Sequence, residues 1–442
     1  MRISRLATLA VTVMALAACT PDRPTDSPEA VEAAGAPDGV LVAITGKGDV
    51  AIDAASGSVL AGGHGAVASP DGDALYRAAV DGGATAVTTI DPRSGTAQGA
   101  VSVRGELDVA VGSVSGDAVA LVEPTPGAPG VPVPRSETPI VVVDPAGRQA
   151  PMRFRLDGNY EPEAFSIDDE RLFLIQYLPA ETPAVYRVVV LELATGTVRP
   201  VRGRFKTPPQ RMPGVRLGQV FDPVTSQMYT LYSNEPGAYA NAYEDVGGTD
   251  PYGGSGGSGS GSSGERADEY WREETFVHVL NLRNGWAYCA GLPKVMWGGE
   301  RTTQAIVPSP DGGSLYVVDA RQGLVAVMDT ESLEVVRTGR IDLGTGGGRA
   351  SVSVSPDGVT LFASPGGEGS MLSAIDTRSM TLADRWPAPG PISGLGMALD
   401  GATLFAAVGE RIEVVDLETG EPTATVPTPG LPPILSLEPL PD

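Results

Sequence analysis

Three copies of the tetrapeptide Ser-Pro-Asp-Gly constrain this chain more than any other feature. They are Ser69-Pro70-Asp71-Gly72, Ser309-Pro310-Asp311-Gly312 and Ser355-Pro356-Asp357-Gly358, each just ahead of a short apolar run: L-Y-R-A, L-Y-V-V and L-F-A-S. Proline presets the first corner of a tight turn, aspartate bonds back to the backbone, and glycine accepts a positive φ. Each copy therefore predicts a hairpin. Looser copies stand at Ala398-Leu399-Asp400-Gly401, Ser166-Ile167-Asp168-Asp169, Phe221-Asp222-Pro223 and Val114-Ser115-Gly116-Asp117. With 57 Gly and 39 Pro spread along the chain, long helices have no room, and short strands with tight turns are the reading.

A second module alternates with the first. An apolar strand ends in Asp, a turn with Ser, Thr or Gly follows, and another strand begins. Copies end at Asp53, Asp91, Asp144, Asp329, Asp376 and Asp416, with degenerate ones at Glu192-Leu193 and Asn281-Leu282. This spacing suits a hairpin turn closed by a positive-φ residue, which accounts for the repeated Asp without a metal. The two modules together predict a four-stranded antiparallel unit about every 40–50 residues, the signature of a β-propeller blade. The pattern resembles the YVTN-type, WD40-like repeats of bacterial propellers over nearly all of residues 39–442. The resemblance implies an all-β chain folded as a single β-propeller, and it says little about function.

Counting the modules gives the number of blades. Let strands A to D run from the central channel to the rim. Eight copies supply strands C and D, but only seven join A to B. Residues 39–62 supply B, C and D without an A. The stretch Pro432-Pro433-Ile434-Leu435-Ser436-Leu437-Glu438 reads as an A strand with nothing after it. The expectation is eight blades, the first completed by the C-terminal strand, which pairs edges that an open ring would expose. Seven blades is the alternative, if one unit in residues 104–200 is misread.

The N-terminus reads as an address. Arg2 and Arg5 precede an apolar run from Leu6 to Leu16, too short to span a bilayer. It ends in Leu16-Ala17-Ala18-Cys19, which resembles the lipobox of bacterial lipoproteins. The resemblance implies that residues 1–18 are a lipoprotein signal peptide, removed before Cys19, and that the Cys19 thiol carries a diacylglyceryl group with acyl chains such as palmitate. Two chains anchor durably where one is marginal. Residues 19–38 then form the lipidated cysteine and a flexible tether. The expected location is the extracytoplasmic side of the cell membrane, with the membrane as a partner through the lipid.

Charge and cysteine narrow the partners. A net charge of −23 repels phosphate backbones, so nucleic acid is not expected. Two cysteines, Cys19 and Cys289, cannot build a disulfide framework. Cys289 reads as a buried apolar thiol and His278 as a strand residue of the core. With His64 the only other histidine, a multi-histidine zinc site is excluded. No cofactor, metal ligand set or catalytic set is read, and the chain is expected to be a monomer.

Function is expected where the loops vary. The A–B and C–D turns are short and uniform. The B–C connections differ widely, at residues 123–137, 176–183 and above all 233–270. This last insertion has a Gly/Ser-rich centre that reads as disordered. Its ends carry Tyr239, Tyr243, Tyr252, Tyr270 and Trp271, a candidate flap for docking a partner. Aligning the A strands places His64, Asp108, Glu161, Arg216, Gln304, Arg349 (beside Ala350) and Ser393 at one level of the channel mouth, with Pro432 in the eighth place. The function read is a non-enzymatic binding scaffold for an unidentified protein or envelope ligand. The alternative is a lactonase-like or other hydrolase using the polar ring.

Overall fold

In the computed structural model, residues 39–124, 132–206, 211–233, 275–297, 303–344 and 346–440 are described. The leader, Cys19, the tether, and Tyr239, Tyr243, Tyr252, Tyr270 and Trp271 lie outside them. The described chain is all-β: eight antiparallel sheets follow one another as blades of a ring. Blade 1 is built from both ends of the sequence. The C-terminal strand Ile434–Pro439 pairs with Val40–Thr45, which pairs with Val50–Asp53, which pairs with Val59–Gly62. Leu437 stands opposite Ala43 in this closing register.

The turn chemistry explains why these residues fold as they do. In the Ser-Pro-Asp-Gly turns the serine hydroxyl donates to the aspartate Oδ1 at 2.6 Å in all three copies. The same hydroxyl accepts the amide five residues on, at 3.0, 2.9 and 2.9 Å. The turn glycines hold φ of 76°, 69° and 70°, a region costly for other residues. The serine thus organises the turn as much as the proline does. In the second module the Asp oxygens accept turn amides, as from Ser56 to Asp53 at 2.7 Å and from Ser379 to Asp376 at 2.6 Å.

Packing follows from the stacking of blades. Strands B and C are covered on both faces by neighbouring blades, so they read as continuous apolar runs rather than alternating ones. Ser314–Asp319 and Leu324–Asp329 of blade 6 are buried along nearly their whole length, while the rim strand Val335–Arg340 is largely exposed. Among the described residues, eight buried clusters lie one between each pair of consecutive blades. The cluster between blades 8 and 1 joins Phe405 and Ile412 to Leu41, Ile52, Ile434 and Leu437, so the closing strand is stapled by burial as well as by pairing.

One blade departs from four strands. Blade 5 consists of Val215–Asp222, Gln227–Ser233, Thr275–Asn281 and Trp286–Gly291, and a two-residue strand, Arg202–Gly203, adds parallel to its outer edge. No helix among the described residues is long and apolar enough to cross a membrane.

Candidate functional site

The site that emerges lies between blades 4 and 5. Glu161 sits on the A strand of blade 4, Asn159–Phe165, opposite Ile175 of the B strand Arg171–Leu178. Tyr177, two residues on, shares that face because side chains alternate along a strand. Its hydroxyl donates to Glu161 Oε2 at 2.6 Å. Tyr186 of the C strand Val185–Glu192 stands opposite Tyr177. From the other side, Arg216 on the A strand of blade 5 pairs in register with Tyr232. These side chains, with Gly214, Val215 and Ile175, line a narrow cleft that opens to solvent.

Aromatic residues concentrate here. The chain has only 4 Trp, 12 Tyr and 8 Phe, yet Phe173, Tyr177, Tyr186, Tyr232 and Phe276 fall in this one buried cluster. Tyr186 and Tyr232 ring centroids are 5.1 Å apart, and Tyr232 stacks on Phe276 at 5.4 Å. His278 lies beneath, buried, at 6.5 Å from the Tyr232 ring. Burial lowers its pKa to about 4, so it is neutral at physiological pH. Cys289 is likewise buried, its Sγ 3.1 Å from Met212 Sδ.

Behind the cleft is a second carboxylate, Glu163. Pro162 pairs with Leu174 and Ala164 with Phe173, so Glu163 falls at a bulge and is turned inward. Gln219 Nε2 donates to its Oε1 at 2.6 Å, and Arg216 Nη1 lies 3.4 Å from its Oε2. Burial pushes the Glu163 carboxyl up, Arg216 pulls it back, and Glu161 pushes again. Burial also raises the Tyr177 hydroxyl well above its ordinary range, and the Glu161 charge adds to it, so Tyr177 stays a donor. Arg216 is disfavoured by burial, but the Glu163 and Glu161 carboxylates outweigh this and hold its charge.

Of the aligned channel-mouth residues, the structure gathers Glu161 and Arg216 at this cleft. His64 is exposed in the connection between blades 1 and 2, and Asp108 is the exposed first residue of its strand. Gln304 is buried, and its Nε2 donates to Met296 O at 2.9 Å and Asp319 Oδ2 at 3.0 Å, which places its amide inside blade 6. Arg349 is half-buried, and burial weakens its hold on the proton. Ser393 stands at a bulge, between Ile392 opposite Val408 and Gly394 opposite Ala407. Tyr177, Tyr232, Glu163 and Gln219 were not among the residues read from the sequence. The signal for Glu163 is the E-P-E run inside a strand, where proline marks a break in pairing. Among the described residues no group of three or more His, Cys, Asp or Glu is arranged to hold a metal ion.

No protein-family model and no curated protein sequence matches the chain. Solved structures do. Apo AztD from Citrobacter koseri matches over 91% of this chain and 97% of its own, at 12% identity and a TM-score of 0.51. A second structure of Citrobacter koseri AztD matches over 91% and 96%, also at 12% and 0.51. The dihydro-heme d1 dehydrogenase NirN in complex with DHE matches over 88% and 73%, at 16% identity and 0.49. At such identities the likeness to AztD shows the fold alone.

Proposed function

We propose that this chain is a lipid-anchored, extracytoplasmic propeller that binds a ligand on the face bearing its B–C connections, with the cleft between blades 4 and 5 as the binding point. One observation carries this reading. Glu161, Tyr177 and Arg216 converge on a cleft whose rim residue Val215 pairs with Ser233, which pairs in turn with Thr275. Those two residues flank the longest B–C connection, so the charged cleft and the most elaborated loop share one end of blade 5. Variable loops on a rigid scaffold are the usual place for recognition.

The anchor follows from the Leu-Ala-Ala-Cys motif. Cys19→Ser is expected to move the protein from the membrane fraction to the soluble fraction and to abolish acyl labelling. Retention of both would remove the lipoprotein reading. For the binding face, the test is affinity capture from intact cells with the paired substitution Glu161→Gln and Arg216→Gln. Partner recovery is expected to fall while the melting curve stays cooperative. Unchanged recovery would move the binding point elsewhere.

A hydrolase is the second reading, and Glu163 is the observation in its favour, because a carboxyl raised by burial suits a general acid. Against it, Glu163 is only 4% exposed and both of its oxygens face Arg216 or Gln219. That arrangement suits holding a neighbouring arginine better than passing a proton to a substrate. Turnover of simple esters or lactones, lost on Glu163→Gln, would reverse the preference.

A further inference from the structure

We infer that the cleft between blades 4 and 5 takes a small zwitterion, a molecule carrying an ammonium and a carboxylate close together, such as a free amino acid or the end of a short peptide. The inference rests on the binding reading above and gives that site its ligand chemistry.

The cleft sets one anionic and one cationic side chain against each other across two blades, and each keeps open hydrogen-bonding atoms among the described residues. Glu161 Oε2 accepts from Tyr177, while Glu161 Oε1 takes no hydrogen bond among the described residues. Arg216 reaches Glu163 and Gln219 only through Nη1, at 3.4 and 3.5 Å. Charge-assisted bonds are ordinarily about 2.7–2.9 Å, so this is a loose tether. Its Nε and Nη2 make no hydrogen bond among the described residues, and the side chain keeps 36% of its exposure. A guanidinium fork with open donors matches a carboxylate in two parallel bonds.

The rest of the lining favours a compact ammonium beside that carboxylate. Tyr177, Tyr186 and Tyr232 wall the cleft. The open Glu161 oxygen supplies the counter-charge for an ammonium there. A simple amine would meet the Arg216 charge and a simple carboxylate would meet Glu161. Each half-ligand is therefore repelled by one side of the cleft, and only a molecule with both charges answers both.

The test is titration calorimetry on the purified full chain at fixed ionic strength, with four probes: alanine, alanyl-alanine, ethylammonium chloride and sodium propionate. Alanine or alanyl-alanine is expected to bind at least about tenfold more tightly than either half-ligand, a difference of about 1.4 kcal/mol. Preference for alanine assigns the site to a free amino acid, and preference for alanyl-alanine assigns it to a peptide end. Glu161→Gln and Arg216→Gln should each weaken that binding about tenfold. Arg216→Lys keeps the charge and spares the fold but removes the fork, so it should weaken binding too. Ethylammonium binding as tightly as alanine, undiminished in Arg216→Lys, would overturn the inference in favour of a plain cation site. No heat with any probe would also overturn it. Capture from intact cells, if still sensitive to Glu161 and Arg216, would then leave the binding face standing with a different ligand.

Discussion

The Arg216 guanidinium of blade 5 lies 3.4 Å from the Glu163 carboxylate of blade 4, so an ion pair spans the joint between two blades directly behind the cleft. The pair does two things. It gives a buried carboxylate a partner, and it aims Arg216 at the cleft mouth. Removing the carboxylate should therefore affect stability and ligand geometry separately. Glu163→Gln keeps a buried hydrogen-bonding group facing Gln219 and is expected to cost less than about 1 kcal/mol, whereas Glu163→Ala, which removes the bonds from Gln219 and Arg216 at a buried position, should cost about 1–3 kcal/mol. Urea unfolding at neutral pH measures both. Equal costs would show that the Gln219 contact contributes nothing.

Stability should fall as pH rises from about 4 to about 7 through two carboxyls, Glu438 on the closing strand and Asp49 in the turn before Val50–Asp53. Burial, opposed by bonds from the Ala68 and Thr45 amides, raises Asp49 from an ordinary 3.8 to about 6. Glu438 is raised from 4.5 to about 7 by burial first and then by the Asp49 and Asp71 charges. Glu438 meets water, but the protein on most sides of it withholds the solvation of a free carboxylate. A carboxyl raised in the fold binds its proton more tightly folded than unfolded. Between the two values the native state holds the extra proton, and stability declines with rising pH. Glu438→Gln should flatten the decline between about 4.5 and 7. Melting temperatures at pH 5 and 7.5 decide it, and an unchanged slope in the variant would remove Glu438 as the cause.

The ring closes at a glycine. A Cβ added to Gly396, on the A strand of blade 8, would lie 2.5 Å from the backbone oxygen of Leu437 on the closing strand. Backbone cannot step aside as a side chain does, so Gly396→Ala must push the two strands apart. The melting temperature is expected to drop by about 1–2 °C, roughly the effect of a 1–2 kcal/mol loss in a chain of this size. Hydrogen exchange should rise first along Val40–Thr45. A variant as stable as the parent would mean that closure does not depend on this close approach.

The turn aspartates are structural. Asp144 accepts the Ala146 amide at 3.0 Å, the Arg148 amide at 3.0 Å and Arg148 Nε at 2.9 Å. The Arg148 side chain, ahead of opposing burial and the Ala146 amide, holds its carboxyl below the usual range. Asp144→Ala should cost about 2 kcal/mol, and Asp144→Asn less, since charged hydrogen bonds are worth about 1.5–3 kcal/mol. Calcium or a chelator should leave the parent's melting temperature unchanged. A cation-dependent shift lost in Asp144→Ala would restore the metal reading.

The architecture was legible because its turns repeat. Serine, aspartate and glycine recur at fixed offsets, and a first blade lacking an A strand beside an unmatched strand at Pro432 to Glu438 pointed to closure by the C-terminus, which pairs over Ile434–Pro439. The site was only half legible. Alignment named Glu161 and Arg216, which the structure brings to one cleft, because both stand near the start of A strands. It missed Glu163, which a bulge turns inward, and it put Gln304 at the channel mouth although its amide bonds inside blade 6. It missed Tyr177 and Tyr232 because they belong to B strands, which alternation along the A strands does not reach. The parallel strand Arg202–Gly203 has two residues and so no period to detect.

The most direct test of the binding face is site-specific photo-crosslinking of the full-length chain in intact cells. One crosslinker replaces Val215 at the rim of the cleft, and the other replaces Glu418 in the exposed C–D turn of blade 8, at the opposite end of the strands. Mass spectrometry of the recovered protein reads any adduct, small or large. An adduct is expected at Val215, lost with Glu161→Gln and Arg216→Gln, and none at Glu418. An adduct at Glu418 with none at Val215 would contradict it.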